Sequence, residues 1–183
     1  SPEYNGLTFA ETFGDLAYTM YSHAISLRDL GCTQSPMNAW ITLNGIETLP
    51  LRMERHCSNS LAVAKFLEKQ ANVEWVSHAG LESSPYFELG KKYLPEGTGS
   101  VFTFGVKGGY ESGLKMLESV ELFSHVANIG DTRSLILHPA STTHRQLTEE
   151  QRIAAGAGPE VIRLSIGIEC VEDIISDLDQ ALN

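Results

Sequence analysis

Residues 161–169 constrain the architecture of this chain more than any other stretch. In them Ile162, Leu164, Ile166 and Ile168 alternate with Val161, Arg163, Ser165 and Gly167. Alternation with a period of two is that of a β-strand with one apolar face packed on helices. Arg163 therefore points away from that face. An unpaired buried cation is very costly, so this guanidinium must be solvated or must meet an anion. Its planar fork suits a carboxylate held by two parallel hydrogen bonds. Glu160 and Glu169 are the acids at hand for an ion pair within the chain, and a ligand carboxylate is the other solution. Residues 128–144, Asn-Ile-Gly-Asp-Thr-Arg-Ser-Leu-Ile-Leu-His-Pro-Ala-Ser-Thr-Thr-His, read as the segment that faces this strand.

A chain of 183 residues holds one sizeable core, or one domain and part of another. Its net charge of −10 leaves no basic patch to neutralise phosphates, which argues against a nucleic-acid or anionic-membrane surface. Cys32, Cys57 and Cys170 are odd in number, widely spaced and without a C-x-x-C pair. They read as reduced thiols of a cytoplasmic protein. No apolar run approaches the length of a membrane span. Ser1-Pro-Glu-Tyr has neither a charged n-region nor an apolar h-region, and reads as a chain that starts within something longer.

In chain order, Thr8-x-x-Glu11 predicts a capping box and a helix from there to Leu30, closed by Gly31. Ser35-Pro36 opens a second helix. Gly45 and Pro50 predict a break before a long helix over residues 51–69, where we place the domain join: a helical portion, residues 1–60, and an α/β domain, residues 61–183. Strands are expected over residues 73–77, 100–106, 135–138 and 161–168. Helices are expected after Ser84-Pro85, after Gly108-Gly109, after the Thr148-x-x-Gln151 capping box and over residues 171–182. Residues 121–129 read as a short strand or a passage from helix to strand.

Ser134-Leu-Ile-Leu-His-Pro-Ala-Ser-Thr-Thr-His144 followed by Ile162-Arg-Leu-Ser-Ile-Gly-Ile-Glu169 resembles the C-terminal signature of the Cys/Met-metabolism enzymes, which use pyridoxal phosphate (PLP). The resemblance extends over almost the whole chain. Tyr4-x-Gly6, Phe9-Ala-Glu-Thr-Phe-Gly14, Leu27-Arg-Asp-Leu-Gly31 and Ser35-Pro36 look like the end of the family's large PLP-binding domain. Gly45-Ile-Glu-Thr-Leu-Pro-Leu-Arg-Met-Glu-Arg-His56 looks like the bridge into its small domain. Tyr86, Lys91-Lys-Tyr-Leu-Pro95, Phe104-Gly-Val-Lys-Gly-Gly109 and Leu122-Phe-Ser124 resemble the O-acetylhomoserine sulfhydrylase branch.

The resemblance implies an α/β fold: the C-terminal part of a PLP-dependent transferase of fold type I, the aspartate-aminotransferase-like class. Its small domain would carry a mostly antiparallel sheet flanked by helices. It implies an enzyme that replaces the acetate of O-acetylhomoserine by sulfide to give homocysteine, with PLP as electron sink. Arg163 falls where the family binds the substrate α-carboxylate, and Ser134 where it places a polar contact to the same group. On its own, a Ser after Asp-Thr-Arg is ordinary turn chemistry. The implied state is a homotetramer. Cystathionine γ-synthase or methionine γ-lyase chemistry stays open within the family, and a free-standing amino-acid-binding regulatory module outside it.

PLP is carried on a lysine as a Schiff base. The chain has Lys65, Lys69, Lys91, Lys92, Lys107 and Lys115. Ser112-Gly-Leu-Lys115 matches a Ser-x-x-Lys pattern but lies in mid-helix, so no catalytic residue is expected among these residues. By resemblance the Schiff-base lysine, the phosphate-cradling glycines, the pyridinium-pairing aspartate, and the Tyr and Arg lent by a neighbouring subunit lie elsewhere, and the cofactor is bound mainly by a part not seen here. His125, His138 and His144 are 13 and 6 residues apart, which fits no common metal-ligand spacing. Gly97-Thr-Gly99 leads into a strand and lacks a third glycine, so it is not a nucleotide loop.

Overall fold

The computed structural model of the protein describes residues 2–183; Ser1, the start of the expected polar lead-in, lies outside them. The chain divides into two compact units, Ser1–Glu47 and Thr48–Asn183.

In the first unit the single helix expected over residues 8–30 is broken into pieces. α1 (Phe9–Phe13) gives way to a 3₁₀ turn (Gly14–Leu16), then α2 (Ala17–Tyr21), then a π-helical stretch (Ser22–Asp29). The break falls at Gly14, whose φ of +51° is outside the helical region. The Thr8 side chain makes no capping hydrogen bond, so the expected box with Glu11 does not form. Gly31, at φ +71°, ends the run in the left-handed conformation that favours glycine. The rings of Tyr4, Phe9 and Tyr21 pack edge to face, with centroids 5.7 and 5.2 Å apart. Ser35 Oγ accepts the Asn38 amide at 3.2 Å and so caps α3 (Pro36–Glu47), a helix with no buried residue.

The second unit begins with α4 (Leu49–Leu67), with Pro50 near its start, as the Gly45/Pro50 interruption predicts. Its buried residues, His56, Asn59, Ser60, Val63, Ala64 and Leu67, recur at helical spacing and face one way. The compact units therefore divide before α4, whereas the expected boundary at 60/61 falls inside it. α4 buries that face in the core of the second unit.

After α4 come β1 (Val73–Ser77), α5 (Phe87–Tyr93), β2 (Val101–Val106), α6 (Gly109–Ser119), β3 (Leu135–Leu137), α7 (Glu149–Ala154), β4 (Val161–Ser165) and α8 (Val171–Leu182). The strands form one sheet in the order β1-β2-β4-β3, with every pairing antiparallel. Phe102, Phe104, Ile136, Ile162 and Leu164 form the core side. Val63, Ala64 and Leu67 of α4, Met116 and Leu117 of α6, and Ile174, Leu178 and Ala181 of α8 cover it. α8 shows the pattern most plainly, burying residues 174, 177, 178 and 181.

Three local details shape the region around β4. Thr148 and Gln151 form the expected capping box at 3.3 and 3.0 Å. Residues 121–129 are irregular, touching the sheet by a single parallel bridge from Ser124 to Leu135. Their start is held by Asp177, buried on α8, whose carboxylate accepts the amides of Glu121, Leu122 and Phe123.

Candidate functional site

β4 is the second strand from one edge of the sheet, with β2 on one side and β3 on the other. Arg163 sits at its centre, opposite Thr103 of β2 and Leu137 of β3. Directly opposed residues share a face, so Arg163 projects with Thr103 and Leu137. Ile162 and Leu164 point the other way, into the core. The side chain is half-buried. Its Nη2 lies a long 3.5 Å from the Asn128 carbonyl. Among the described residues no carboxylate pairs with it; the ion pairs found are Arg28–Asp29, Lys91–Glu88 and Arg133–Asp131. The half-buried guanidinium in mid-strand thus has no carboxylate partner among the described residues, and a ligand carboxylate is the anion its geometry suits.

Ser134 shares no hydrogen bond with Arg163. It is fully buried, and its hydrogen-bonding capacity is used within the chain. Its hydroxyl donates to Glu169 Oε2 at 3.0 Å and accepts the Gly167 amide at 2.9 Å. Its own amide donates to Glu169 Oε1 at 2.5 Å. Neither Glu160 nor Glu169 takes the ion pair with Arg163 that spacing alone allows.

The residues 166–169 that follow β4 are gripped by α4. His56 Nδ1 meets the Ile166 carbonyl at 2.6 Å. Asn59 Nδ2 donates to the carbonyls of Gly167 (3.1 Å) and Glu169 (2.9 Å), and Arg55 Nη2 reaches the latter at 3.3 Å. Gly167 admits no side chain: a Cβ there would lie 2.6 Å from the Arg133 carbonyl carbon and closer still to the Thr132 oxygen and the Glu169 carboxylate. These partners of β4 escape a reading based on apolar periodicity. The signal present is three polar residues, His56, Asn59 and Ser60, standing on the apolar stripe of α4.

The remaining candidates are structural or isolated. His138, fully buried, meets Ser141 Oγ through Nδ1 and the Pro159 carbonyl through Nε2, both at 2.9 Å, with Tyr110 edge-on to its ring. His144 lies in the turn after it, with Nδ1 2.8 Å from Thr143 Oγ1. Among the described residues no three His, Cys, Asp or Glu side chains gather as metal ligands. All six lysines are exposed. Lys91 pairs with Glu88, Lys107 donates to the Ala71 carbonyl, and Lys115 stands outward on α6. None of the six is buried.

Asp131 and Arg133 bracket the loop that meets Arg163. The Arg133 guanidinium holds the Asp131 carboxyl below the usual carboxylate range through hydrogen bonds of 3.3 and 3.4 Å. Burial pushes the His78 imidazole below its ordinary value; its Nδ1 accepts the Gly80 amide at 3.0 Å and its Nε2 faces Ser60 Oγ at 3.2 Å. Among the described residues no helix is long and apolar enough to cross a membrane.

With this geometry in hand, comparisons with known proteins are specific. The profile of the Cys/Met metabolism PLP-dependent enzymes matches residues 6–183. A homocysteine synthase of Schizosaccharomyces pombe is 48% identical over 181 residues, covering 99% of this chain and 42% of the relative. An O-acetyl-L-homoserine sulfhydrylase of Leptospira meyeri is 47% identical over 190 residues, with 99% and 43% covered. A crystal structure described as an O-acetylhomoserine (thiol)-lyase of Campylobacter jejuni, containing N'-pyridoxyl-lysine-5'-monophosphate, superposes with a TM-score of 0.87 at 40% identity. It is covered to 43% of its length by the whole of this chain. The chain thus spans about 42% of the length of these curated relatives.

Proposed function

The chain belongs to the Cys/Met metabolism PLP-dependent enzyme family, and from that premise we propose that it is the C-terminal part of an O-acetylhomoserine sulfhydrylase. The enzyme replaces the acetate of O-acetylhomoserine by sulfide and releases homocysteine. Within it, Arg163 binds the α-carboxylate of the amino-acid substrate and so orients the carbon chain whose Cγ carries the leaving group. The observation that carries this reading is the half-buried Arg163, set in mid-strand with no carboxylate partner among the described residues. Relatives 46–48% identical over 99% of the chain, named for this reaction or its product, favour the sulfhydrylase branch over cystathionine γ-synthase or methionine γ-lyase.

Residues 1–47 belong to the helical tail of the large domain, and α4 is the connecting helix whose far half is built into the small domain. The lysine that carries PLP lies outside these 183 residues, a reading supported by the exposure of all six lysines present. This chain alone is therefore inactive. The enzyme works in the cytoplasm as a homotetramer, in which the exposed Met37, Trp40, Ile41, Leu43 and Ile46 of α3 are covered.

The test is an assay of the full-length gene product with PLP, O-acetylhomoserine and sulfide. Homocysteine and acetate in equal amounts are expected. A full-length protein that forms cystathionine from cysteine in place of homocysteine from sulfide would move it to the neighbouring branch.

A further inference from the structure

Resting on the reading of Arg163 as the carboxylate grip, we propose that Glu169 is its positioning residue. It clasps the loop that meets Arg163 onto the strand from which Arg163 projects.

Glu169 stands six residues after Arg163 and is half-buried. An acid this close would ordinarily compete for the guanidinium, because opposite charges attract strongly where water is excluded. Here both carboxylate oxygens are committed to Ser134, one to its amide and one to its hydroxyl. The hydroxyl is fixed in turn by the Gly167 amide. Committed to Ser134, the acid makes no ion pair with the charge it could neutralise.

The clasp is rigid at both ends. On the Glu169 side, α4 holds the main chain at three carbonyls, through His56 at Ile166, Asn59 at Gly167, and Asn59 with Arg55 at Glu169. On the other side, the Ile168 amide donates to the Thr132 carbonyl at 2.9 Å. The turn before it is locked by Asp131, which accepts the Arg133 amide at 3.0 Å. This clasped segment runs back to Asn128, whose carbonyl is the atom nearest the guanidinium in the structure's hydrogen bonds. Glu169 therefore sets where the Asn128 carbonyl stands relative to Arg163, and with it the direction in which the guanidinium can present its two-pronged face. Bidentate recognition tolerates little misalignment, and an ångström of misplacement far from the chemistry can matter.

The experiment compares the PLP-loaded full-length enzyme with its Glu169→Ala, Arg163→Ala and doubly substituted forms. Two substrates are used: O-acetylhomoserine, and its α-carboxamide, which lacks the charge that Arg163 would bind. Glu169→Ala is expected to raise KM for O-acetylhomoserine by about ten- to a hundredfold, with kcat within about threefold of the parent. It should leave the carboxamide unaffected, and it should add less than about twofold in the Arg163→Ala background. An equal penalty on both substrates, or in both backgrounds, would make Glu169 a stabilising residue only and overturn the proposal. If Arg163→Ala itself leaves O-acetylhomoserine kinetics intact, the carboxylate grip fails, whatever Glu169 does. Should Glu169→Ala not fold, Glu169→Gln keeps the shape but offers one acceptor to two donors. An intermediate KM and faster hydrogen exchange at the Ser134 amide are then expected, and parental values of both overturn the proposal.

Discussion

Replacing Arg163 by alanine separates a binding arginine from a structural one, because the two predict opposite pairs of results. Arg163 loses no ion pair on substitution, since among the described residues it has none, and its one hydrogen bond is a long 3.5 Å contact to the Asn128 carbonyl. What goes is the packing of its aliphatic stem beside Thr103 and Leu137, so the unfolding free energy should change by less than about 1 kcal/mol. The catalytic penalty is of another size. Leaving a desolvated substrate carboxylate without its cation costs roughly 2–5 kcal/mol by analogy with truncated charge pairs. At about 1.4 kcal/mol per tenfold, kcat/KM should fall about 30- to several-thousand-fold. Arg163→Lys should recover only part, as an ammonium cannot make the two-pronged contact. The assay is steady-state homocysteine formation by the full-length enzyme, with denaturant unfolding of each variant alongside. A variant that keeps kcat/KM within about twofold would refute the reasoning, and so would one whose activity loss is matched by a collapse in stability.

Further outcomes follow from the packing. Gly167→Ala drives a methyl into the Thr132–Arg133 backbone and should cost about 1–3 kcal/mol in denaturant unfolding. Asp177→Ala leaves the buried Phe123 amide and the partly buried amides of Glu121 and Leu122 without their acceptor, an expected loss of about 1–3 kcal/mol that Asp177→Asn only partly restores. His78 is held below its ordinary value by burial, so its folded-state pKa lies under the unfolded value of about 6.5. Its contribution to stability is therefore full above that pH and is lost as pH falls toward the folded value. Melting temperature should drop between pH 7 and 5, and His78→Asn should flatten that drop, as read by thermal scans at both pH values.

Much of the second unit was legible because its elements satisfy one period each. Residues 73–77 and 171–182 fold as read, and β2, β3 and β4 lie within the stretches expected of them. β4 stops at Ser165, short of the alternating pattern, because the Ile168 amide turns to the Thr132 carbonyl. The first unit was less legible. A capping box and an apolar stripe predict one helix over residues 8–30, but Thr8 does not cap it and Gly14 breaks it. The arginine of the candidate site was visible because a cation in an alternating strand is an anomaly. Ser134 was placed with Arg163 by resemblance; its amide and hydroxyl are taken up by Glu169, which no spacing announces, since contact between residues 35 apart depends on where β4 ends.

The same contacts explain why an unpaired arginine persists in an acidic chain. With a net charge of −10, any mobile carboxylate near Arg163 would neutralise it. Two acids border the place where β4 meets the 128–134 loop, and each is occupied: Asp131 by Arg133, and Glu169 by the amide and hydroxyl of Ser134. The first is tied by a neighbour two residues away, the second by a clasp that α4 holds from behind. A guanidinium kept free of internal carboxylates retains its electrostatic attraction for an incoming one. The chain bears the cost of desolvating it in advance, and a bound substrate returns that energy as affinity. On this view the hydrogen bonds of Glu169, none of which reaches Arg163, are part of how Arg163 binds.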